Sequence, residues 1–130
     1  RPTEEGRCVC PSHASCLEGL ASGPAIAARW GKPAAELADN AEVWALEGDY
    51  LGQMCANLVL MYSPRRIVLG GGVMHQEQLY GIVRKKTLEY LGGYIRTAEL
   101  EDMESYICAP GCGGDQGILG AAELARRALA

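Results

Sequence analysis

Three cysteines and a histidine lie within nine residues near the start of the chain, in the segment CVCPSHASC. Cys10, His13 and Cys16 place a thiol or an imidazole at every third residue of a loop that contains proline. Thiolate sulfur and imidazole nitrogen are the ligands that zinc prefers, and a structural zinc site takes four of them in a tetrahedral arrangement. The spacing therefore predicts a zinc site. Its fourth ligand is either Cys8, which is separated from Cys10 by only one residue, or a histidine upstream of Arg1.

The alternative for this segment is a group of loose thiols with an exposed histidine, or one local disulfide. No basic segment followed by an apolar one marks a signal peptide, so we expect a cytoplasmic protein. In that compartment, the six cysteines of the chain favour metal binding over disulfides. Cys55 is predicted to be a buried core residue, and no metal role is assigned to Cys108 or Cys112.

A second feature with possible chemistry is the run IVLGGGV at residues 67–73, which reads as a strand, then glycines, then a helix. Glycines at such a turn let a ligand approach backbone N–H groups closely, and a helix N-terminus favours anionic groups such as phosphates. The run matches neither of the common phosphate-loop patterns. It predicts either a nucleotide-binding turn or a tight turn without a ligand.

Alternating helices and strands must position these residues. Apolar residues at three- and four-residue spacing predict one long helix over residues 41–62, which Ser63 and Pro64 end. The other predicted elements are helices at 17–30, 33–38, 76–91 and 115–129, the last capped by Asp115, a buried-type strand at 66–69 and a second strand at 106–109. This order predicts an α/β fold with a parallel sheet. Because two short strands do not make a stable sheet, we expect further strands from residues outside this chain or from a partner, and we expect the chain to be part of a longer protein.

Taken together, four segments resemble the ROK family of sugar kinases and sugar-sensing repressors, and within it the bacterial zinc-containing fructokinases. They are the cysteine–histidine loop, CLEGLASGPAI, IVLGGGV and GDQGILGAA, in this order. The common family pattern is CxCGxxGCxExxxSG. Here the last gap between cysteines is one residue longer and contains a histidine, as in the fructokinases.

The resemblance implies part of a two-domain kinase with an actin/hexokinase-like, ribonuclease H-like fold and an active site between the domains. Residues 1–16 would be the zinc-binding loop and residues 17–113 part of the C-terminal α/β domain. Residues 114–130 would be the C-terminal helix that crosses to the N-terminal domain. The family also suggests a homodimer.

The resemblance also implies roles for individual residues. Zinc would be held by Cys10, His13, Cys16 and a histidine before Arg1, which leaves Cys8 without a role. Glu18 would contact a sugar hydroxyl, although an acid in the first turn of a helix can also simply face the helix dipole. The wall of the adenine-nucleotide site would be formed by Pro24, Val68, Leu69, Gly70, Gly71 and Gly72.

Several family motifs are not found in the 130 residues: the DxGGT-type phosphate motif, the second phosphate loop, the ExGH-type sugar motif and the catalytic Asp. We expect them before Arg1, in the missing N-terminal half. The resemblance implies that the intact protein uses ATP and Mg²⁺ to phosphorylate a sugar, with fructose as the expected one, whereas this chain alone is predicted to be inactive. The family leaves two alternatives: a sugar-sensing transcriptional repressor, and a structural zinc module without catalysis.

The composition excludes other classes of partner. The net charge of −4 does not suggest nucleic-acid binding, and no segment approaches the roughly 20 apolar residues that a membrane span needs. The 48% hydrophobic and 22% charged residues are those of an ordinary globular domain.

Overall fold

The computed structural model describes residues 8–129. Its elements, in chain order, are α1 (Leu17–Ala21), α2 (Gly23–Trp30), a 3₁₀ turn (Ala34–Leu37), α3 (Ala41–Tyr62), β1 (Ile67–Val68), a second 3₁₀ turn (Gly72–His75), α4 (Gln78–Leu91), α5 (Ala98–Glu101), α6 (Met103–Tyr106), β2 (Ile107–Cys108) and α7 (Gln116–Ala128).

The long helix α3 and the helix α4 form the centre of the fold. α3 begins where the Asn40 side chain accepts a hydrogen bond from the Glu42 N–H at 3.1 Å, and it ends at Tyr62 as predicted. Two of its glycines, Gly48 and Gly52, lie one turn apart and face α4, where a side chain on either would collide with Ile82 or Lys86. The two helices therefore approach closely along a stripe without side chains.

The core fills the space around this helix pair. Its members include the fully buried side chains of Ile26, Val43, Trp44, Cys55, Leu79, Val83 and Ile107. Cys55 thus lies in the core, as predicted. A smaller, separate cluster of Leu20, Ala21 and Tyr50 holds α1 against α3.

The two strands pair in parallel, with Ile67 opposite Ile107 and Val68 opposite Cys108, which confirms the predicted parallel pairing. The pair is anchored by α4, since the Arg84 Nε donates to the Ile107 carbonyl at 2.9 Å. Each strand has only two residues. The prediction that residue 68 belongs to a buried strand is wrong: Val68 is exposed because the described residues cover only one face of this small sheet.

The predicted helix at 17–30 is two helices that meet at Ser22. The backbone of Ser22 is extended, and its hydroxyl accepts a hydrogen bond from the Ala25 N–H at 3.4 Å. A serine in this conformation is a typical helix N-cap. The apolar periodicity continues across the break, which is why the spacing alone predicts one helix.

Two other elements and one predicted cap differ from the prediction. The predicted helix at 33–38 is a single 3₁₀ turn, and the Trp44 indole N–H donates to the carbonyls of Leu37 and Ala38 at its end. The helix predicted from residue 76 begins at Gln78, after the second 3₁₀ turn. Asp115 does lie at the start of α7, but its side chain makes no capping bond, since its backbone lacks the extended conformation of a capping residue.

The last helix, α7, has no buried residue within the described part of the chain. Ile118, Leu119 and Leu124 are at least half exposed, while Glu123 pairs with Arg126 and Arg127 on the same helix. Among the helices of residues 8–129, none combines the length and the apolar character that crossing a bilayer would require.

Candidate functional site

The structure brings the three predicted metal ligands together. One ligand atom from each of Cys10, His13 and Cys16 lies within 4.8 Å of the others, and the Cys10 Sγ is 3.3 Å from the His13 Nδ1. Cys8 lies beside them, with its Sγ 3.9 Å from the Sγ of Cys16. Three of the four side chains that the sequence singles out therefore converge, and Cys8 lies next to Cys16.

Helix α1 organises this loop. The Cys16 Sγ caps the helix by accepting a hydrogen bond from the Gly19 N–H at 3.4 Å, and the Val9 N–H donates to the Gly19 carbonyl at 2.9 Å. A Cβ on Gly19 would collide with the Cys8 Sγ and lie 2.8 Å from the backbone nitrogen of Cys10. The glycine thus lets the segment that carries Cys8 and Cys10 lie directly against the helix.

The two thiols nearest His13 differ in acidity. Hydrogen bonds from the Ser12 backbone and from the His13 side chain lower the pKa of Cys10 to about 7. The Gly19 N–H has the largest single influence on Cys16 and lowers its pKa, but partial burial and the neighbouring Cys10 and Cys8 thiols together raise it.

The donor set fits three of the four positions of a tetrahedral zinc ion. The ligand atoms of Cys10, His13 and Cys16 lie within 4.8 Å of one another, and two thiolates bound at the usual Zn–S distance of about 2.3 Å stand about 3.8 Å apart. Cys8 is outside this group, although its sulfur is 3.9 Å from that of Cys16. All the side chains are thiols or imidazole, and no carboxylate belongs to the cluster within the described residues. Ligands of this kind suit zinc rather than calcium or magnesium, which prefer oxygen.

Glu18 lies two residues beyond Cys16, in the first turn of α1, and is exposed. The helix that begins at a predicted metal ligand thus carries the predicted sugar contact. Pro24 lies at the start of the next helix, α2, and is also exposed.

The glycine turn after β1 meets a second loop that follows β2. The two loops line a cleft of about 390 Å³, whose walls include Gly70, Gly71, His75, Pro110 and Gln116. A Cβ on Gly70 would lie 2.9 Å from the Pro110 ring. Gly71 has a φ of 102°, a conformation that only glycine adopts without strain.

Only some of the residues predicted to form the nucleotide wall line this cleft. Gly70 and Gly71 line the cleft, whereas Val68 and Leu69 belong to the strand and its extension, and Gly72 begins the 3₁₀ turn. The Tyr80 hydroxyl donates to the Leu69 carbonyl at 2.7 Å and fixes the end of the strand. Both loops follow the carboxyl ends of parallel strands, which is where α/β proteins usually bind ligands.

Sequence reasoning missed the second wall of the cleft and one buried ion pair. The sequence did indicate this wall through Pro110 and Gly111, which follow the second predicted strand. Neighbouring parallel strands have their carboxyl ends at the same edge of the sheet, so the loops that follow them lie close together. The ion pair joins Arg29 to Glu47 at 3.0 Å, and nothing in the local sequence indicates it.

Comparisons with known proteins agree with the resemblance. The ROK family profile matches residues 2–128. A protein of Bacillus subtilis (strain 168), whose fructokinase name is itself provisional, is 47% identical over 121 residues, covering 92% of this chain and 40% of that protein. The fructokinase of Pediococcus pentosaceus is 41% identical over 128 residues, covering 98% of this chain and 43% of the relative.

A third relative is the fructokinase of Streptococcus mutans serotype c, 38% identical over 122 residues, which cover 94% of this chain and 39% of that enzyme. The chain therefore spans about two fifths of the length of the curated relatives that it matches.

Proposed function

Since the chain belongs to the ROK family, we propose that it is the C-terminal portion of an ATP-dependent sugar kinase that converts fructose to fructose 6-phosphate. The observation that carries the proposal is the convergence of Cys10, His13 and Cys16 at the start of the helix that bears Glu18. The fructokinase names of the relatives support the kinase over the alternative of a repressor.

Zinc would be structural in this protein. Cys10, His13 and Cys16 would hold it, and the fourth position would be taken by a histidine from outside this chain or by Cys8. The ion would fix the loop of residues 8–16 to the N-terminus of α1. Because the ligands lose protons on binding, zinc binding and the folding of this loop would depend on each other.

Glu18 would bind the sugar. A carboxylate accepts hydrogen bonds from sugar hydroxyls, and such charge-assisted bonds are stronger and more directional than neutral ones. Its exposure leaves the carboxylate accessible, and its place on a helix anchored at a metal loop would keep it in position.

The cleft between the two loops would hold part of the adenine nucleotide, with Gly70 and Gly71 in its wall. Pro24, Val68, Leu69 and Gly72 do not line this cleft, and their part in the nucleotide site rests on the family resemblance alone. Gly70 and Gly71 leave backbone open to a ligand in this cleft. Phosphoryl transfer would also need the positive charge that Mg²⁺ supplies when bound with the nucleotide, and we assign no ligand for it to the described residues. We assign no catalytic base to this chain, so the isolated 130 residues would bind ligands without turnover.

The test uses the full-length protein that contains this chain. We expect one zinc per chain by metal analysis, ADP binding by calorimetry, and fructose-dependent formation of ADP in a coupled assay. Zinc without ADP or sugar binding would indicate a structural module. Sugar binding without phosphorylation, together with DNA binding, would indicate a repressor.

A pair of glutamate variants tests the sugar contact. Glu18→Gln should raise the KM for fructose, since it removes the charge from the acceptor. Glu36→Gln alters an exposed glutamate in the first 3₁₀ turn and should change nothing. Equal kinetics for the two variants would contradict the role of Glu18.

A further inference from the structure

A buried ion pair joins three helices beside the metal loop. The Arg29 side chain on α2 is 9% exposed, and its Nη1 donates to the Oε1 of the fully buried Glu47 on α3 at 3.0 Å. Its Nη2 donates to the Leu20 carbonyl of α1, also at 3.0 Å. The guanidinium carbon lies 5.5 Å from the centre of the Tyr50 ring. One side chain of α2 thus contacts both α1 and α3.

Stability alone does not account for this pair. Burial raises the pKa of Glu47 to about 7 even though Arg29 acts in the opposite direction. The second carboxylate oxygen of Glu47 has no hydrogen-bond partner within the described residues. Buried ion pairs are often no more stabilising than apolar side chains of the same size. A role in fixing geometry explains the pair better.

Helix α1 depends on contacts with other elements to stay in position. It has five residues, and helices this short are not stable on their own in water. Its N-terminus is capped by Cys16, and the carbonyl of Leu20, near its C-terminus, is bound by Arg29. Glu18 lies between these two attachment points.

We propose that Arg29 and Glu47 are positioning residues that hold α1, and through it the Glu18 carboxylate, in place for the sugar. The inference rests on the sugar site of the proposed function. Arginine suits the task because its planar fork directs separate N–H groups to two acceptors at once, whereas the ammonium of lysine is a single point of charge.

Steady-state kinetics of the full-length protein at about pH 8, above the pKa of Glu47, test the proposal with Arg29→Lys and Glu47→Gln. We expect the KM for fructose to rise on the order of tenfold, because small displacements of a binding group have large effects. The kcat and the KM for ATP should stay within about twofold. The control is Glu89→Gln, which removes an exposed ion pair with Lys86 on α4 and should leave all three constants unchanged.

A double-mutant cycle shows whether the pair acts through Glu18. If it does, adding Glu47→Gln to Glu18→Gln should raise the KM for fructose little further, since the charge-assisted part of the contact is already lost. Rises that multiply independently would overturn the proposal, as would a lower kcat with an unchanged KM for fructose.

Hydrogen–deuterium exchange gives a readout that does not need activity. Amides of Leu17–Ala21 should exchange faster in both variants, while those of α3 keep their protection. If Glu47→Gln does not fold, Arg29→Lys carries the test; failure of both to fold would assign the pair to folding and overturn the positioning role.

The two proposals fail in different ways. A wild-type protein that neither binds nor phosphorylates fructose refutes the proposed function. A wild-type protein that phosphorylates fructose, with unchanged kinetics in the variants, refutes only the positioning role of Arg29 and Glu47.

Discussion

Replacing Gly19 by alanine tests the packing of residues 8–10 of the proposed zinc-binding loop against α1. At an exposed helical position, glycine to alanine stabilises a protein by about 0.5–1 kcal/mol. Here the new Cβ would collide with the Cys8 Sγ and lie 2.8 Å from both the Cβ and the backbone nitrogen of Cys10. Because backbone atoms are involved, the segment must move, and overpacking of this kind costs about 1–3 kcal/mol. The two effects leave a net destabilisation of about 1 kcal/mol.

The effect on zinc should be larger than the effect on stability. Cys10 is one of the three clustered ligands, and displacing the groups that orient metal ligands typically lowers affinity about 10–100-fold. Competition with a chromophoric chelator measures the zinc affinity, and thermal melting followed by circular dichroism measures the stability. We expect at least about a tenfold loss of zinc affinity in Gly19→Ala.

Gly81 provides the matched control. It lies inside α4, and apart from its chain neighbours and the backbone of its own helix, no described heavy atom lies within 4 Å of the position that its Cβ would take. Gly81→Ala should therefore raise the stability by about 0.5–1 kcal/mol and leave zinc binding unchanged. If Gly19→Ala behaved like this control in both measurements, the close packing of residues 8–10 on α1 would be refuted.

Three further changes have expected outcomes. The free energy of unfolding should fall by roughly 2–3 kcal/mol as the pH rises from about 5 to 7, because Glu47, with its pKa raised to about 7, keeps a proton in this range that the unfolded chain has released. Urea titrations at both pH values should show this contribution vanish in Glu47→Gln. Gly52→Ala should destabilise by about 1–3 kcal/mol, since its Cβ would collide with Lys86 and lie 3.2 Å from the Thr87 nitrogen; an unchanged melting temperature would contradict this. Gly71→Ala should weaken ADP binding but not zinc binding in calorimetry, because its φ of 102° strains any other residue; equal losses of both would point to general unfolding instead.

The parts of the fold that the sequence predicts well are those with long local patterns. Residues 41–62 form one helix within the predicted limits, because a seven-position apolar stripe and a terminal Ser–Pro step define it. The four-residue helices α5 and α6 are too short to repeat any apolar period, so no such pattern indicates them. The break at Ser22 depends on one hydroxyl that caps the second helix. The spacing of apolar residues contains no information about such a cap.

The candidate site divides in the same way. Cys10, His13 and Cys16 are neighbours in sequence, so their spacing alone indicates that one ion could bind them. The cleft needs residues 109–116 beside residues 70–71, and the Arg29–Glu47 pair needs α2 to cross α3. Both are consequences of tertiary packing between segments that carry no shared local pattern.

Two restraints of different chemistry act on the same short helix. At its N-terminus, Cys16 is both the helix cap and one of the three proposed metal ligands. Near its C-terminus, Arg29 donates to the Leu20 carbonyl and is itself bound by Glu47. A five-residue helix cannot hold a side chain in place by its own hydrogen bonds. Loss of either restraint should therefore make the Glu18 carboxylate mobile. Loss of both should raise the KM for fructose little beyond the larger of the two single effects, because a carboxylate that is already mobile is not displaced much further.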